Sequence, residues 1–68
     1  MPLSARNRLK GEVTEVVLGT VTALVTVKVG KDLVESVITR RSADELKLKV
    51  GDSVTAVIKA TEVMIQKD

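Results

Sequence analysis

Polar and apolar residues alternate along most of this chain. From 20 to 29 the alternation is strict: Val21, Ala23, Val25, Val27 and Val29 fall on one face, with Thr20, Thr22, Leu24, Thr26 and Lys28 opposite. A period of two carried by β-branched residues predicts a strand. Residues 9–18 alternate more loosely, with Leu9, Gly11 and Val13 opposite Lys10, Glu12 and Thr14, until Val16-Val17-Leu18 becomes apolar on both faces. Gly19 marks a tight turn, and Gly30-Lys31-Asp32 reads as a hairpin loop. Residues 33–39 form the next predicted strand, with Leu33, Val34, Val37 and Ile38 covering parts of both faces. Ser42-Ala43-Asp44-Glu45 has the form of a capping box, so a short helix is predicted from Ala43 to about Lys47, before Val50-Gly51-Asp52 turns the chain. Residues 53–60 alternate again, with Val54, Ala56 and Ile58 opposite Thr55, Val57 and Lys59. Val63-Met64-Ile65 is a last short predicted strand, with Met64 in the core. Three strands, a short helix between strands 3 and 4, then two more strands is the order of an all-β fold, the five-stranded OB-like barrel.

Size changes the picture. The 68 residues, 1–68, make one domain, and a chain of that length buries only about 60% of the surface its unfolded form exposes. Small domains usually need a staple. Cysteine is absent, so no disulfide supplies it, and histidine, the commonest metal ligand and general base, is absent too. There is no Phe, Trp or Tyr, so the core must be built from Val, Leu, Ile, Ala and Met. The staple left is a partner subunit. A net charge of +2 is too mild to imply a polyanionic partner. No apolar run reaches the roughly 18 residues of a transmembrane helix. The start Met-Pro-Leu-Ser-Ala-Arg lacks the apolar stretch of a signal peptide, so the expected location is the cytoplasm. No linker, low-complexity segment or internal repeat breaks the chain. Val-Thr recurs at 13–14, 21–22, 25–26 and 54–55, which is ordinary strand vocabulary.

Candidate chemistry sits at the two ends. Ser4-Ala5-Arg6-Asn7 precedes the first strand, and Lys59-Ala60-Thr61 follows the fourth. Together they offer hydroxyls, a guanidinium, a carboxamide and an ammonium, with no acidic side chain in either segment; the first acid in the chain is Glu12. Such a set suits a small multivalent anion, which takes many donors and tolerates no competing carboxylate. Ile38, Thr39 and Ser42 form a third segment where the short helix begins. These three segments, in this order and at these separations, resemble the molbindins, small molybdate- and tungstate-binding proteins of prokaryotes. The resemblance covers nearly the whole chain.

The resemblance implies a hexamer of OB-like subunits, a trimer of dimers, with molybdate or tungstate bound between subunits and no organic cofactor. It assigns Ser4, Arg6, Lys59 and the amide of Ala60 to one subunit's share of the site, and Thr39 and Ser42 to its neighbour's. Ala5, Asn7 and Thr61 support the arm, and no side chain ligates the metal directly. It further implies a second class of site near a threefold axis. For Ser42, capping its own helix competes with contacting the anion. Arg40-Arg41 lies close to Asp44 and Glu45 and reads first as a solvated, ion-paired turn, while Lys47 and Lys49 read as surface.

Other functions are harder to support. An OB domain that binds single-stranded nucleic acid stacks bases on aromatic side chains, and this chain has none. A ligand-sensing domain of a molybdate transport or regulation system remains as an alternative, although Met1 lies only three residues before the first motif. An enzyme is not expected: His and Cys are missing, and Gly51-Asp52-Ser53 lacks the flanking Gly and Lys of a phosphate loop.

Overall fold

The computed structural model describes residues 4–68. The expectation drawn from the chain's start falls in part on residues 1–3, outside the described residues. Four strands, one α-helix and one 3-10 turn follow in order: β1 (Asn7–Leu18), β2 (Thr22–Val29), β3 (Asp32–Thr39), α1 (Arg40–Leu46), β4 (Ser53–Ile58), then the turn Ala60–Glu62. The strands form one antiparallel sheet in the order β3-β2-β1-β4. This is the mostly-β, OB-like architecture expected, with four strands in place of five.

β1 organises the sheet because it is long enough to serve two partners. Its first half, Asn7–Glu12, pairs with β4, and Glu12–Leu18 pairs with β2. The change of partner requires a bend, and two features supply it. Val13 pairs with Val27 and Glu15 with Thr26, so Thr14 is an extra, bulged residue. The bulge also shifts the inward phase from odd to even positions. Val13 is fully buried, and beyond the bulge Val16 packs on the core while Val17 and Leu18 remain half exposed. The second feature is Gly11, one residue before the changeover. A Cβ there would lie 2.8 Å from Val27 Cγ1 and 3.0 Å from Val29 Cγ2, and would strike the Lys28 carbonyl oxygen. Gly11→Ala is therefore expected to destabilise the fold by about 1–3 kcal/mol, as overpacking does. Urea unfolding checks this: an unchanged midpoint would mean that β1 can move off β2 without cost.

The core is small and aliphatic. Val13, Val25 and Val27 form its centre, with Val16, Val29, Ile38, Leu48 and Val54 packed around them. Ala23, Val25 and Val27 follow the predicted face of β2, whereas Val21 lies before the strand and is exposed. Val29 and Asp32 pair across a two-residue loop whose first member, Gly30, sits at φ 60, a conformation that costs glycine least.

The structure corrects three expectations. Residues 63–65 are not a fifth strand: the amide of Val63 bonds back to the Ala60 carbonyl, closing the 3-10 turn rather than joining the sheet. Met64 is accordingly not core; it is 91% exposed. The helix begins at Arg40, three residues before the prediction, because Thr39 and not Ser42 caps it. It ends at Leu46, where Lys47 turns left-handed at φ 52 and its amide bonds to the Ala43 and Asp44 carbonyls.

Candidate functional site

The two end segments come together at one end of the sheet. Asn7 opens β1 and pairs with Ile58, the last residue of β4. Asn7 Nδ2 also donates to the Ile58 carbonyl at 3.2 Å, tying the arm to the neighbouring strand. Ala5 is buried, while Ser4 and Arg6 on either side are exposed. Arg6 precedes Asn7 and Lys59 follows Ile58, so both flank the last pair of the β1–β4 ladder. Lys59 stays extended, then Ala60, Thr61 and Glu62 form the 3-10 turn, with the Glu62 amide bonded to the Lys59 carbonyl at 2.9 Å.

Two like charges at the same end of one strand pair repel. Among the described residues the ion pairs are Arg40–Asp44 and Arg41–Glu45, so neither Arg6 nor Lys59 is matched by a carboxylate. The arrangement is open to an anion, which would offset the repulsion and accept from both cations.

Thr39 and Ser42 stand elsewhere. The Ser42 amide donates to Thr39 Oγ1 at 3.0 Å, the usual service of an N-cap side chain to the third residue of a helix. The same hydroxyl lies 2.8 Å from Ser42 Oγ. While that bond holds, the pair can present one hydroxyl proton outward, not two, because each hydroxyl carries a single proton. Thr39→Ala is expected to cost about 1 kcal/mol of stability through loss of the cap. Ser42→Ala should cost much less, since the amide at 42 keeps its acceptor. Equal losses in thermal or urea unfolding would show that the helix start is held by something else.

β3 runs antiparallel to β2, β2 to β1, and β1 to β4, so β3 and β4 run in opposite directions. Their C-terminal ends, which carry Thr39 and Lys59, therefore point to opposite ends of the sheet. A single chain groups Ser4, Arg6, Asn7, Lys59, Ala60 and Thr61, and keeps Thr39 and Ser42 apart from them.

Arg40 has a structural task that the sequence did not disclose. Its Nε pairs with Asp44 at 3.1 Å, and a terminal guanidinium nitrogen donates to the Gly19 carbonyl at 3.0 Å. Together with the bond from its own amide to the Val21 carbonyl, this ties the start of α1 to the turn before β2. Arg41 pairs with Glu45 at the surface. The i to i+4 spacing of both pairs was readable; the reach to Gly19, twenty-one residues away, was not.

The comparisons with known proteins identify the family and the fold. The sequence profile of the TOBE domain matches residues 3–65. Molybdenum-pterin-binding protein 3 of Clostridium pasteurianum is 50% identical over 66 residues, which span 96% of this chain and 97% of that protein. A molybdate-binding protein from Sporomusa ovata superposes with a TM-score of 0.94 at 40% identity, covering 98% of this chain and 100% of that one. The cytoplasmic molybdate-binding protein ModG, with molybdate bound, superposes with a TM-score of 0.82 at 43% identity, covering 88% of this chain and 43% of that one. Family profile, sequence identity and fold coincide over almost the full length: the chain belongs to the TOBE domain family, and within it to the molbindins.

Proposed function

We propose that this chain binds molybdate or tungstate and stores or buffers it, at sites formed between subunits of a homo-oligomer. The observation that carries the reading is that Arg6 and Lys59 both flank Asn7–Ile58, the last pair of the β1–β4 ladder, and that among the described residues neither is ion-paired with a carboxylate. Ser4, the Ala60 amide and these two cations form one half of the site, held by buried Ala5 and by the bond from Asn7 to Ile58. Thr61 supports the turn that carries Ala60. Thr39 and Ser42 supply the other half from a neighbouring subunit, a division favoured by their position at the opposite end of the sheet.

The chemistry follows from the ligand. Molybdate is a tetrahedral dianion with four oxygens, all acceptors, so the site needs donors and positive charge and nothing else. Binding of this kind requires no nucleophile or general base. The oxyanion is the cargo, and no organic cofactor enters. The name and setting of ModG favour a cytoplasmic role, and no helix among the described residues is long and apolar enough to cross a membrane. The oligomer proposed is a hexamer, a trimer of dimers, with the whole chain acting as one oxyanion-binding unit. Exposed Leu33, Val37, Val57 and Leu9 favour burial against other copies. Native mass spectrometry with and without tungstate tests both parts of the reading. Six-chain particles that gain whole tungstate ions are expected; single chains of 7.3 kDa that gain none would sink it.

A further inference from the structure

The helix α1 is seven residues long, and Ala43 is its one buried residue. A helix so short does not hold its own start in place. Its cap and its third residue are Thr39 and Ser42, the hydroxyls of the second half of the proposed site. Whatever fixes the start of α1 therefore fixes those two donors.

The backbone supplies two ties. Thr39 pairs with Thr22 at the end of the β2–β3 ladder, and the Arg40 amide donates to the Val21 carbonyl at 2.8 Å. One side chain supplies the rest. Arg40 Nε donates to both carboxylate oxygens of Asp44, at 3.1 and 3.2 Å, and Arg40 Nη1 donates to the Gly19 carbonyl at 3.0 Å. A single guanidinium thus joins the body of the helix to the turn between β1 and β2. That turn is a firm anchor. The Gly19 amide bonds to the Thr22 carbonyl at 2.8 Å, and a Cβ on Gly19 would lie 2.9 Å from the same oxygen. Arg41 gives the contrast. It makes the same i to i+4 pair, with Glu45 at 3.4 Å, but its side chain is 90% exposed against 39% for Arg40. Among the described residues its side chain has no bond outside α1.

We propose that Arg40 is a positioning residue for the oxyanion site. It does not touch the anion. Its fork, closed on Gly19 and Asp44, sets where the Thr39 and Ser42 hydroxyls meet the anion held by the other half. Donors work only when held within about 0.5 Å of their place, and an O–H···O bond spans only about 2.5–3.0 Å. Lysine cannot replace this fork, because its ammonium is a point charge on a flexible stem. The inference rests on the functional reading above, in taking Thr39 and Ser42 as ligands.

Titration calorimetry with tungstate on the full chain tests it. Arg40→Ala should weaken binding about three- to tenfold, as expected when a neutral hydrogen bond is lost. Arg41→Ala removes the same charge one residue away and also frees an acid, so it serves as the control and should stay within about twofold of the parent. Equal losses in the two variants would make the effect one of charge and overturn the proposal. Arg40→Lys is the milder change, keeping the charge and the spacing to Asp44; it should lose affinity nearly as far as Arg40→Ala, and parental affinity would overturn the fork. In a Ser42→Ala background the loss caused by Arg40→Ala should shrink, because one of the two hydroxyls it positions is gone. An undiminished loss, or fewer filled sites at unchanged affinity, would make Arg40 a residue of stability alone and overturn the proposal. The functional reading fails separately. A parent that binds no tungstate, or a parent that binds while Thr39→Ala and Ser42→Ala bind as well as it does, would sink that reading and this inference with it. Ser42→Ala weakened beside an unchanged Arg40→Ala would sink this inference only.

Discussion

Arg6→Ala and Lys59→Ala should each weaken binding of molybdate or tungstate strongly while leaving the fold intact. Both side chains lie outside the core, and neither takes part in an ion pair among the described residues, so their removal leaves no buried partner unsatisfied. Removing one of two like charges at the same end of a strand pair can relieve the empty protein slightly. The loss therefore falls on the bound state. A hydrogen bond to a charged group contributes roughly 1.5–3 kcal/mol, or about tenfold to more than a hundredfold in affinity. Ser4→Ala removes a neutral donor and should cost less, about 0.5–1.5 kcal/mol. Titration calorimetry with tungstate, alongside urea unfolding of each variant, separates affinity from stability. Arg6→Ala indistinguishable from the parent would remove the arm from the site. A large loss of stability without loss of affinity would make Arg6 a structural residue.

The two ends could be joined from sequence only by resemblance. No local pattern states that residue 7 lies beside residue 58; that follows from the pairing of β1 with β4, a contact between strands far apart in the chain. The β2 face was legible because five alternating apolar positions leave no other phase. The bulge at Thr14 was not, because Val16, Val17 and Leu18 are all apolar and hide the slip from odd to even positions. The helix start was misread for a definite reason. Thr39-Arg40-Arg41-Ser42 and Ser42-Ala43-Asp44-Glu45 both place a hydroxyl residue three positions before a polar one, and the second has the stronger signature. Tertiary bonds decide for the first: the Arg40 amide is held by the Val21 carbonyl, which fixes the start of the helix at Thr39. The last strand failed in another way. Val63-Met64-Ile65 has strand composition, but composition does not name a partner edge, and within one chain none is reached.

Selectivity should follow from the residue types that the site lacks. Arg6, Lys59 and the Ala60 amide can only donate to an anion, while the hydroxyls of Ser4, Thr39 and Ser42 can donate and also accept. Molybdate and tungstate are full dianions from pH 6 to 8, whereas phosphate carries at least one proton over that range. That proton either faces a group that only donates or takes a hydroxyl away from donating to the anion, and a mismatch of this sort in a closed site costs about 1–3 kcal/mol. Sulfate carries no proton but is smaller, so donors spaced for a larger oxyanion cannot all reach it. Histidine is absent from the chain, so no side chain of ordinary pKa changes charge between about pH 6 and 8. Molybdate and tungstate should therefore bind with similar affinity, nearly independent of pH over that range, and far more tightly than sulfate or phosphate. Competition titrations at pH 6, 7 and 8 measure all of this at once. Phosphate that displaces molybdate at comparable concentration would mean that its proton is accommodated without loss, and would overturn a site dominated by the donors of these six residues. A steep pH dependence with phosphate still excluded would instead point to a titrating group outside them.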